Sequence, residues 1–344
     1  MSEKSLAVKY RPTTFSDVVE QDSVKAILLH QLKTGTVKHA YLFCGGAGTG
    51  KTTCARIFAS DINKGEGTPI EMDAASHNGV DDVRDIIKQA QTKSIDSEYK
   101  VFVIDECHSL SNTAWQAMLK LIEEPPEKSI FIFCTTDPQK IPNTILSRVQ
   151  RFDFKRISQK SIVDRLQYIL TEENEEDDGE RAIGEGALEY ISKVADGGMR
   201  DAITLLDKCL SYSEELTVEN VIKVLGVSTY DFLVSVFNNL YICNAEATIR
   251  LVEEIYEQGK DLKLFIKDLL NFTIDVVKYM QTNSLDFVKF PKSCAEQLEG
   301  IDNIDMVCEM LDMLVKLNAD IKWVNNPKYD IEARFLLFEL EDEE

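Results

Sequence analysis

No stretch of this 344-residue chain approaches the roughly 20 consecutive apolar residues that a membrane-spanning helix needs, and the N-terminus, Met-Ser-Glu-Lys, lacks the apolar core of a secretory signal. A cytoplasmic protein with no membrane partner is expected, in a host's cytoplasm if the chain is phage-encoded. Cysteine is limited to eight scattered residues (44, 54, 107, 134, 209, 243, 294, 308) without a C-x-x-C pair, which speaks against a disulfide framework or a zinc site. Cysteines inside apolar runs read as small hydrophobes. The four histidines (30, 39, 77, 108) are dispersed, so each reads as a surface or core residue before it reads as a ligand. With 16 glycines and 8 prolines the composition is that of an ordinary foldable chain. Positive charge is short: 38 Lys and Arg against 59 Asp and Glu give a net −21, which excludes broad affinity for polyanions but leaves room for a local basic track. Residues 172–180 and the terminal Glu-Asp-Glu-Glu concentrate acid, and such blocks read as a solvated loop and tail.

Against these absences stands one dense motif. Gly45-Gly46-Ala47-Gly48-Thr49-Gly50-Lys51-Thr52 satisfies G-x-x-x-x-G-K-[ST] and follows the apolar run Ala40–Phe43, the strand–turn–helix setting of a phosphate-binding loop. Glycines let the backbone wrap a polyphosphate, and the following helix N-terminus adds positive potential. Lys51 reaches the β and γ phosphates, and the Thr52 hydroxyl can ligate Mg²⁺. Val101–Ile104 reads as a buried parallel strand delivering Asp105 and Glu106 to its carboxyl end, where one carboxylate can support a metal and its neighbour can polarise an attacking water.

The remaining elements follow from periodicity. A first regular helix starts near Asp22 as N-cap and ends at Gly35. Thr53–Asn63 continues from the phosphate loop, residues 64–69 form a turn, Ile70–Ala74 a strand and Val80–Gln91 a helix. Ser111–Glu123 is a helix stopped by Pro125-Pro126, and Ile130–Cys134 a strand leading to Thr136. Thr52, Asp105, Glu106 and Thr136 all fall at strand carboxyl ends and can converge. From about Ser158 the pattern is helical. Gly197-Gly198-Met199-Arg200-Asp201 puts an arginine at a helix start, and long amphipathic runs at Tyr230–Leu240, Ala245–Gln258, Leu262–Met280 and Asp305–Leu317 predict a bundle or an oligomer contact.

Several segments then carry a resemblance. Val8-Lys9-Tyr10-Arg11-Pro12, Phe15–Val19, the phosphate loop, Asp105-Glu106-Cys107-His108, Leu119–Pro126, Thr135–Pro142, Ile145-Leu146-Ser147-Arg148 and Met199–Ala202 are similar to the sliding-clamp-loader ATPases of the AAA+ class, in particular the gamma/tau subunits of bacterial DNA polymerase III, with the replication factor C small subunits as cousins. The resemblance is dense over residues 4–210 and fainter at Asn326–Glu332. It implies an α/β AAA+ P-loop domain (residues 1–157), a small helical lid (158–227) and an all-α collar that oligomerises (228–344). By the same resemblance Tyr10, Arg11 and Pro12 border the adenine of ATP. Gly45 to Thr53 and Asp105 hold phosphates and Mg²⁺, the metal falling to Thr52 and Asp105. Glu106 is the general base or water-positioner, Thr136 the sensor of the γ-phosphate and Arg200 its counterpart on the lid. Arg148 is the arginine finger acting on ATP in a neighbouring subunit, an ordinary surface arginine being the alternative. Primer–template DNA would meet Ser76, His77, Asn78 and Gly79 and the start of the next helix at Asn112 and Thr113, residues that also suit plain N-caps, with Lys120 as a coupling residue.

The chain departs from that family in four places. A short turn stands between Ser60 and Ile70 where a four-cysteine zinc module is usual, so no zinc is expected. Ser147-Arg148 is followed by Val149 rather than Cys. Glu20 replaces Gly before Gln21. No extension after the collar is expected to tether polymerase or helicase, a compactness that suits a phage or otherwise reduced replisome. The expected function is ATP-dependent loading of a ring-shaped clamp, in company with other loader subunits. The alternatives are a non-catalytic stator that donates only Arg148, and another AAA+ motor for branch migration or helicase loading.

Overall fold

The computed structural model describes residues 5–94, 96–176, 182–213, 215–225, 230–290 and 292–341, apart from the side chains of residues 176, 219, 222, 225, 293 and 341. The chain forms two compact units, Met1–Leu216 and Thr217–Glu344.

In the first unit, α1 (Leu6–Lys9) and α2 (Asp22–Thr34) lead into β1 (Ala40–Gly45), α3 (Lys51–Ile62), β2 (Ile70–Asp73), α4 (Val80–Ala90), β3 (Lys100–Asp105), α5 (Asn112–Glu123), β4 (Ser129–Thr135), α6 (Asn143–Leu146) and β5 (Gln150–Phe154). The five strands make one parallel sheet in the order β2-β3-β4-β1-β5. Side chains alternate across a strand, and this sheet is covered on both sides, so its strands read as unbroken apolar runs. Leu42, Cys44, Phe102, Ile104, Phe131 and Phe133 face α4 and α5. Tyr41, Phe43, Val101, Val103, Ile132 and Cys134 face α2 and α3. Burial pushes the Cys54 thiol up to about 12 and that of Cys44 to about 11, as fits cysteines used as packing.

The order of strands positions the site. β4 lies between β1 and β3, with Cys44 opposite Thr135 and Ile104 opposite Phe133. The phosphate loop after β1, the acids after β3 and Thr136 after β4 therefore emerge side by side at one edge, the crevice where open α/β sheets bind ligands.

The first unit continues with α7 (Gln159–Glu176), β6 (Ala182–Ile183), α8 (Ala187–Val194), α9 (Met199–Tyr212) and β7 (Glu215–Leu216). Ile162, Leu166, Ile169, Leu188, Ile191, Ala202 and Leu206 are buried there. The parallel pair β6–β7 ties Leu216 back to this helical part, so the chain passes to its second unit at Thr217 rather than at residue 228, which lies outside the described residues. The second unit comprises α10 (Val218–Leu225), α11 (Tyr230–Tyr241), α12 (Ala245–Glu257), α13 (Leu262–Thr282), α14 (Lys292–Gln297), α15 (Ile304–Asp320) and α16 (Pro327–Glu341). Phe237, Phe265, Leu269, Val307, Met310, Leu314 and Phe335 form its core.

Two local expectations need correction, and one strand was not anticipated. Asp22 is the first helical residue and not the N-cap. Gln21 holds that place with φ 55°, because its side-chain amide is committed to both the N–H and the C=O of Lys155. Residues 172–176 are not a solvated loop. They close α7, where Glu173 accepts from the Tyr10 hydroxyl at 2.6 Å and pairs with Lys9 at 2.7 Å, and residues 177–180 lie outside the described residues, as do residues 342–344 of the terminal block. Gln150–Phe154 is an unanticipated edge strand: Phe152 and Phe154 point inward while Arg151 and Asp153 pair outside.

Phe43 is fully buried with Phe152, Phe154 and Tyr41 around it. Phe43→Ala should lower the unfolding free energy by about 3–5 kcal/mol, measured by urea denaturation. In the second unit, burial raises the Asp268 carboxyl to about 6, and its Oδ2 is buried without a partner among the described residues. The folded unit therefore takes up a proton before the unfolded chain, whose aspartates titrate near ~3.9. Its stability contribution is full below that value and is lost as pH rises through about 6. Asp268→Asn should raise the melting temperature at pH 7.5 and leave it unchanged at pH 3.5.

Candidate functional site

A cavity of about 520 Å³ opens at the carboxyl edge of the sheet, lined by Tyr10, Arg11, Pro12, Ala47 to Thr53, Asp105, Glu106, Arg165 and Arg200 among others. Its size is that of a small-molecule site. Gly45 and Gly46 do not line it but shape its floor. Gly45 has its Cα against the Phe154 carbonyl, where a Cβ would sit 2.5 Å from that oxygen. Lys51 is buried, and its ammonium donates to the carbonyls of Gly45 and Gly46 at 2.9 and 2.8 Å. Two neutral carbonyls are weaker partners for an ammonium than phosphate oxygens, which carry the opposite formal charge.

Across β4, the Thr52 hydroxyl donates to Asp105 Oδ2 at 2.7 Å. A hydroxyl and a carboxylate side by side are hard oxygen donors of the kind Mg²⁺ takes when it also keeps waters and phosphate oxygens. Glu106 follows in the left-handed region, φ 46°, unusual for a residue with a side chain. Its N–H donates to Asp105 Oδ1 at 3.0 Å, and its Oε2 accepts from the Thr136 hydroxyl at 3.0 Å. Thr136 thus joins the site through Glu106 and not through the cavity wall.

The cavity pairs four cations, Arg11, Lys51, Arg165 and Arg200, with four carboxylates, Asp17, Asp105, Glu106 and Asp201. Burial first, and then Arg56 and Arg200, push the Arg11 pKa below its ordinary value. Crowded guanidiniums of this kind are relieved by an anionic ligand. Glycines with no room for a side chain, a buried lysine, a Thr–Asp oxygen pair and three arginines together fit a nucleoside polyphosphate with Mg²⁺.

The start of α9 closes directly on the loop. The Met199 N–H donates to the Gly48 carbonyl at 3.0 Å, and a Cβ on Gly48, whose φ is 68°, would stand 2.9 Å from Gly198 Cα. Arg200 enters the cavity from this helix. Arg148 does not line the cavity. It is part-exposed after α6, where it pairs with Glu123 at 2.7 Å and donates to the Thr144 carbonyl and the Ser147 hydroxyl. Ser76, His77, Asn78, Asn112 and Thr113 are exposed and Gly79 partly so. The Ser111 N–H donates to the Asn78 carbonyl at 3.1 Å, which brings the N-termini of α4 and α5 together. Lys120 is an exposed residue of α5.

Sequence reasoning missed three participants. Arg165 on α7 lines the cavity and donates to the Tyr10 carbonyl at 3.2 Å. Glu173 holds the Tyr10 hydroxyl. His108 lies beside Glu106, its Nδ1 3.2 Å from Oε2. The first two needed the fold of α7, which no local pattern gives, whereas His108 was adjacent to the acid pair in the motif itself.

Three family models match the chain in succession: "DNA polymerase III, delta subunit" over residues 68–158, "DNA polymerase III clamp loader subunit, ATPase lid domain" over 161–215, and "DNA polymerase III subunits gamma and tau domain III" over 216–335. DNA polymerase III subunit tau of Bacillus subtilis is 38% identical over 97% of this chain. This chain belongs to the gamma/tau family of DNA polymerase III clamp-loader subunits. The tau subunit of Escherichia coli is 35% identical over 78% of it. The chain spans 62% of the length of the first relative and 44% of the second. In fold alone it is similar to Thermotoga maritima RuvB, a Holliday junction branch migration motor, with a TM-score of 0.50 and 21% identity, covering 67% of this chain and 79% of that one. A parallel α/β sheet followed by a helical ATPase lid agrees with the matched lid model and with that fold.

Gly48→Ala tests the contact between loop and lid helix. The added methyl requires a strained φ and displaces Gly198, so nucleotide affinity should fall at least tenfold, about 1.4 kcal/mol, in a fluorescent-nucleotide titration. Gly46→Ala, whose Cβ would meet nothing nearer than 3.7 Å, should fall by much less.

Proposed function

We propose that this chain is an ATP-hydrolysing subunit of a sliding-clamp loader, in which ATP binding lets a multi-subunit spiral grip and open a ring-shaped clamp and primer–template DNA triggers hydrolysis and release. The observation that carries the reading is the division of the ATP machinery within one chain. Lys51, Thr52, Asp105 and Glu106 gather at the cavity, while Arg148 stands outside it on a part-exposed surface. An arginine fixed by Glu123 and a helix-end carbonyl is presented outward, as a group acting on a neighbour's phosphates must be.

In this reading the loop backbone and Lys51 bind the β and γ phosphates. Thr52 and Asp105 hold Mg²⁺, which when bound neutralises charge developing on the transferred phosphoryl group. Glu106 orients the attacking water and accepts its proton, Thr136 reads the γ-phosphate, and Arg200 brings the lid to bear on it. Tyr10, Arg11 and Pro12 border the base. Arg148 of one subunit completes the site of the next, where a planar permanent charge suits the transition state. The helix starts at Ser76–Gly79 and Asn112–Thr113 meet the DNA backbone with N–H groups and neutral side chains, which tolerates an acidic protein. The second unit assembles the subunits.

ATPase activity of the assembled complex should rise when clamp and primed DNA are added together. No stimulation by the pair would count against clamp loading. Arg148→Ala should leave nucleotide binding nearly intact and reduce turnover by about 10³-fold or more; turnover that survives would remove Arg148 from the site.

A further inference from the structure

The carboxylate assigned above as water-positioner has a second group within reach besides Thr136. Glu106 Oε2 receives the Thr136 hydroxyl at 3.0 Å, and the imidazole Nδ1 of His108 lies 3.2 Å from the same oxygen. That Nδ1 also lies 3.2 Å from the hydroxyl of Thr135, a buried side chain whose oxygen already accepts the Asp137 N–H at 3.0 Å. His108 sits in the 3₁₀ turn Cys107–Ser109 immediately after Glu106, with its side chain only 18% exposed. The neighbouring Cys107 is buried and fixes the turn to the core. Among the described residues Glu106 Oε1 has no hydrogen-bond partner, so one carboxylate oxygen is occupied and the other is left for water.

Charge decides the tautomer. An ionised carboxylate only accepts hydrogen bonds, and a bare Nδ1 lone pair held 3.2 Å from it would repel it. With hydrogen on Nδ1, the imidazole instead has two oxygens within reach, its hydrogen-bond partner Thr135 Oγ1 and Glu106 Oε2. The Thr136 hydroxyl has one proton and, in the reading above, must turn it towards the γ-phosphate, which removes one of the two groups steadying Glu106 just when its orientation matters. His108 has no such second duty.

We propose that His108, as the Nδ1–H tautomer, is the positioning residue of Glu106: it keeps Oε2 fixed and Oε1 aimed at the water when Thr136 is engaged elsewhere. The inference rests on Glu106 being the water-positioner. Glu106 in the left-handed region gains orientation from the turn, and the imidazole supplies the restraint at the far end of the side chain.

The test has a spectroscopic arm and a kinetic arm. In the full chain labelled with ¹⁵N-histidine, with His108 assigned from its loss in His108→Asn, long-range ¹H–¹⁵N correlations without nucleotide should show the Nδ1–H tautomer. Glu106→Ala should move that resonance. An Nε2–H tautomer, or a resonance indifferent to Glu106→Ala, would overturn the proposal. In the assembled complex His108→Ala should lower kcat by about tenfold to a hundredfold, the scale of a small misplacement of a reacting group, with nucleotide affinity and melting temperature unchanged. His108→Asn, whose amide N–H₂ can occupy the Nδ1–H position, should recover most of the loss. Equal loss in both variants, or a loss seen in nucleotide affinity instead of kcat, would also overturn it. Glu106→Gln serves as the reference. If it retains turnover, the assignment of Glu106 fails, and the tautomer result still stands or falls separately; if it abolishes turnover, His108→Ala added to it should cost nothing further.

Discussion

The hydrogen bond from Thr52 to Asp105 depends on a strand that belongs to neither residue. β4 inserted between β1 and β3 sets the spacing at which the phosphate loop and the acid pair face each other, and the parallel register of all three brings their carboxyl ends to one edge. Everything chemical in the first unit hangs on that spacing. A one-residue slip would exchange Phe131 and Phe133 with the smaller Ile130, Ile132 and Cys134 of the other buried face, so the buried phenylalanines of β3 and β4 hold the site's geometry as firmly as the site residues do.

Around that edge, groups from distant parts of the chain restrain one another. Gln21 clasps Lys155 and Glu20 accepts from the Ser158 N–H and hydroxyl, with the Ser158 hydroxyl the main cause holding the Glu20 carboxyl below its usual range. Two consecutive residues with positive φ are thus maintained at the passage from sheet to lid. Glu20 stands where glycine is usual in the resembling family, and its bonds to Ser158 account for a side chain at a backbone conformation that glycine adopts freely. Further along, Met199 bonds the loop carbonyl and Glu173 bonds Tyr10, so the helical lid touches both ends of the cavity.

The sheet, its loop and its acids were legible in the sequence because their signals are local: unbroken apolar runs, a glycine-rich turn, two acids at a strand's end. The edge strand Gln150–Phe154 was not, since its alternating pattern covers only five residues and its outward ion pair resembles a loop. The acidic block at 172–176 was misread for a related reason. Net charge predicts solvation, yet Glu173 finds Tyr10 and Lys9 more than 160 residues earlier in the chain. Glu106 and Thr136 were placed by their positions at strand ends and Arg200 by a helix start, with only their roles taken from resemblance, whereas the importance of His108 appears only when its distance to a carboxylate is known. The helices of the second unit were legible from their stripes, but the transition at Thr217 was not, because the two-residue pairing of β6 with β7 that draws the chain back is too short to leave a pattern.

A composite site is most directly tested by complementation. Chains carrying Arg148→Ala and chains carrying Glu106→Gln are each assembled alone and then together, and ATP turnover is measured at equal total protein. Each variant alone should be inactive, and the mixture should regain part of the turnover, because an intact Glu106 in one subunit then meets an intact Arg148 in the next. A mixture as inactive as its components, with mixed assembly verified by mass, would contradict a site shared between subunits.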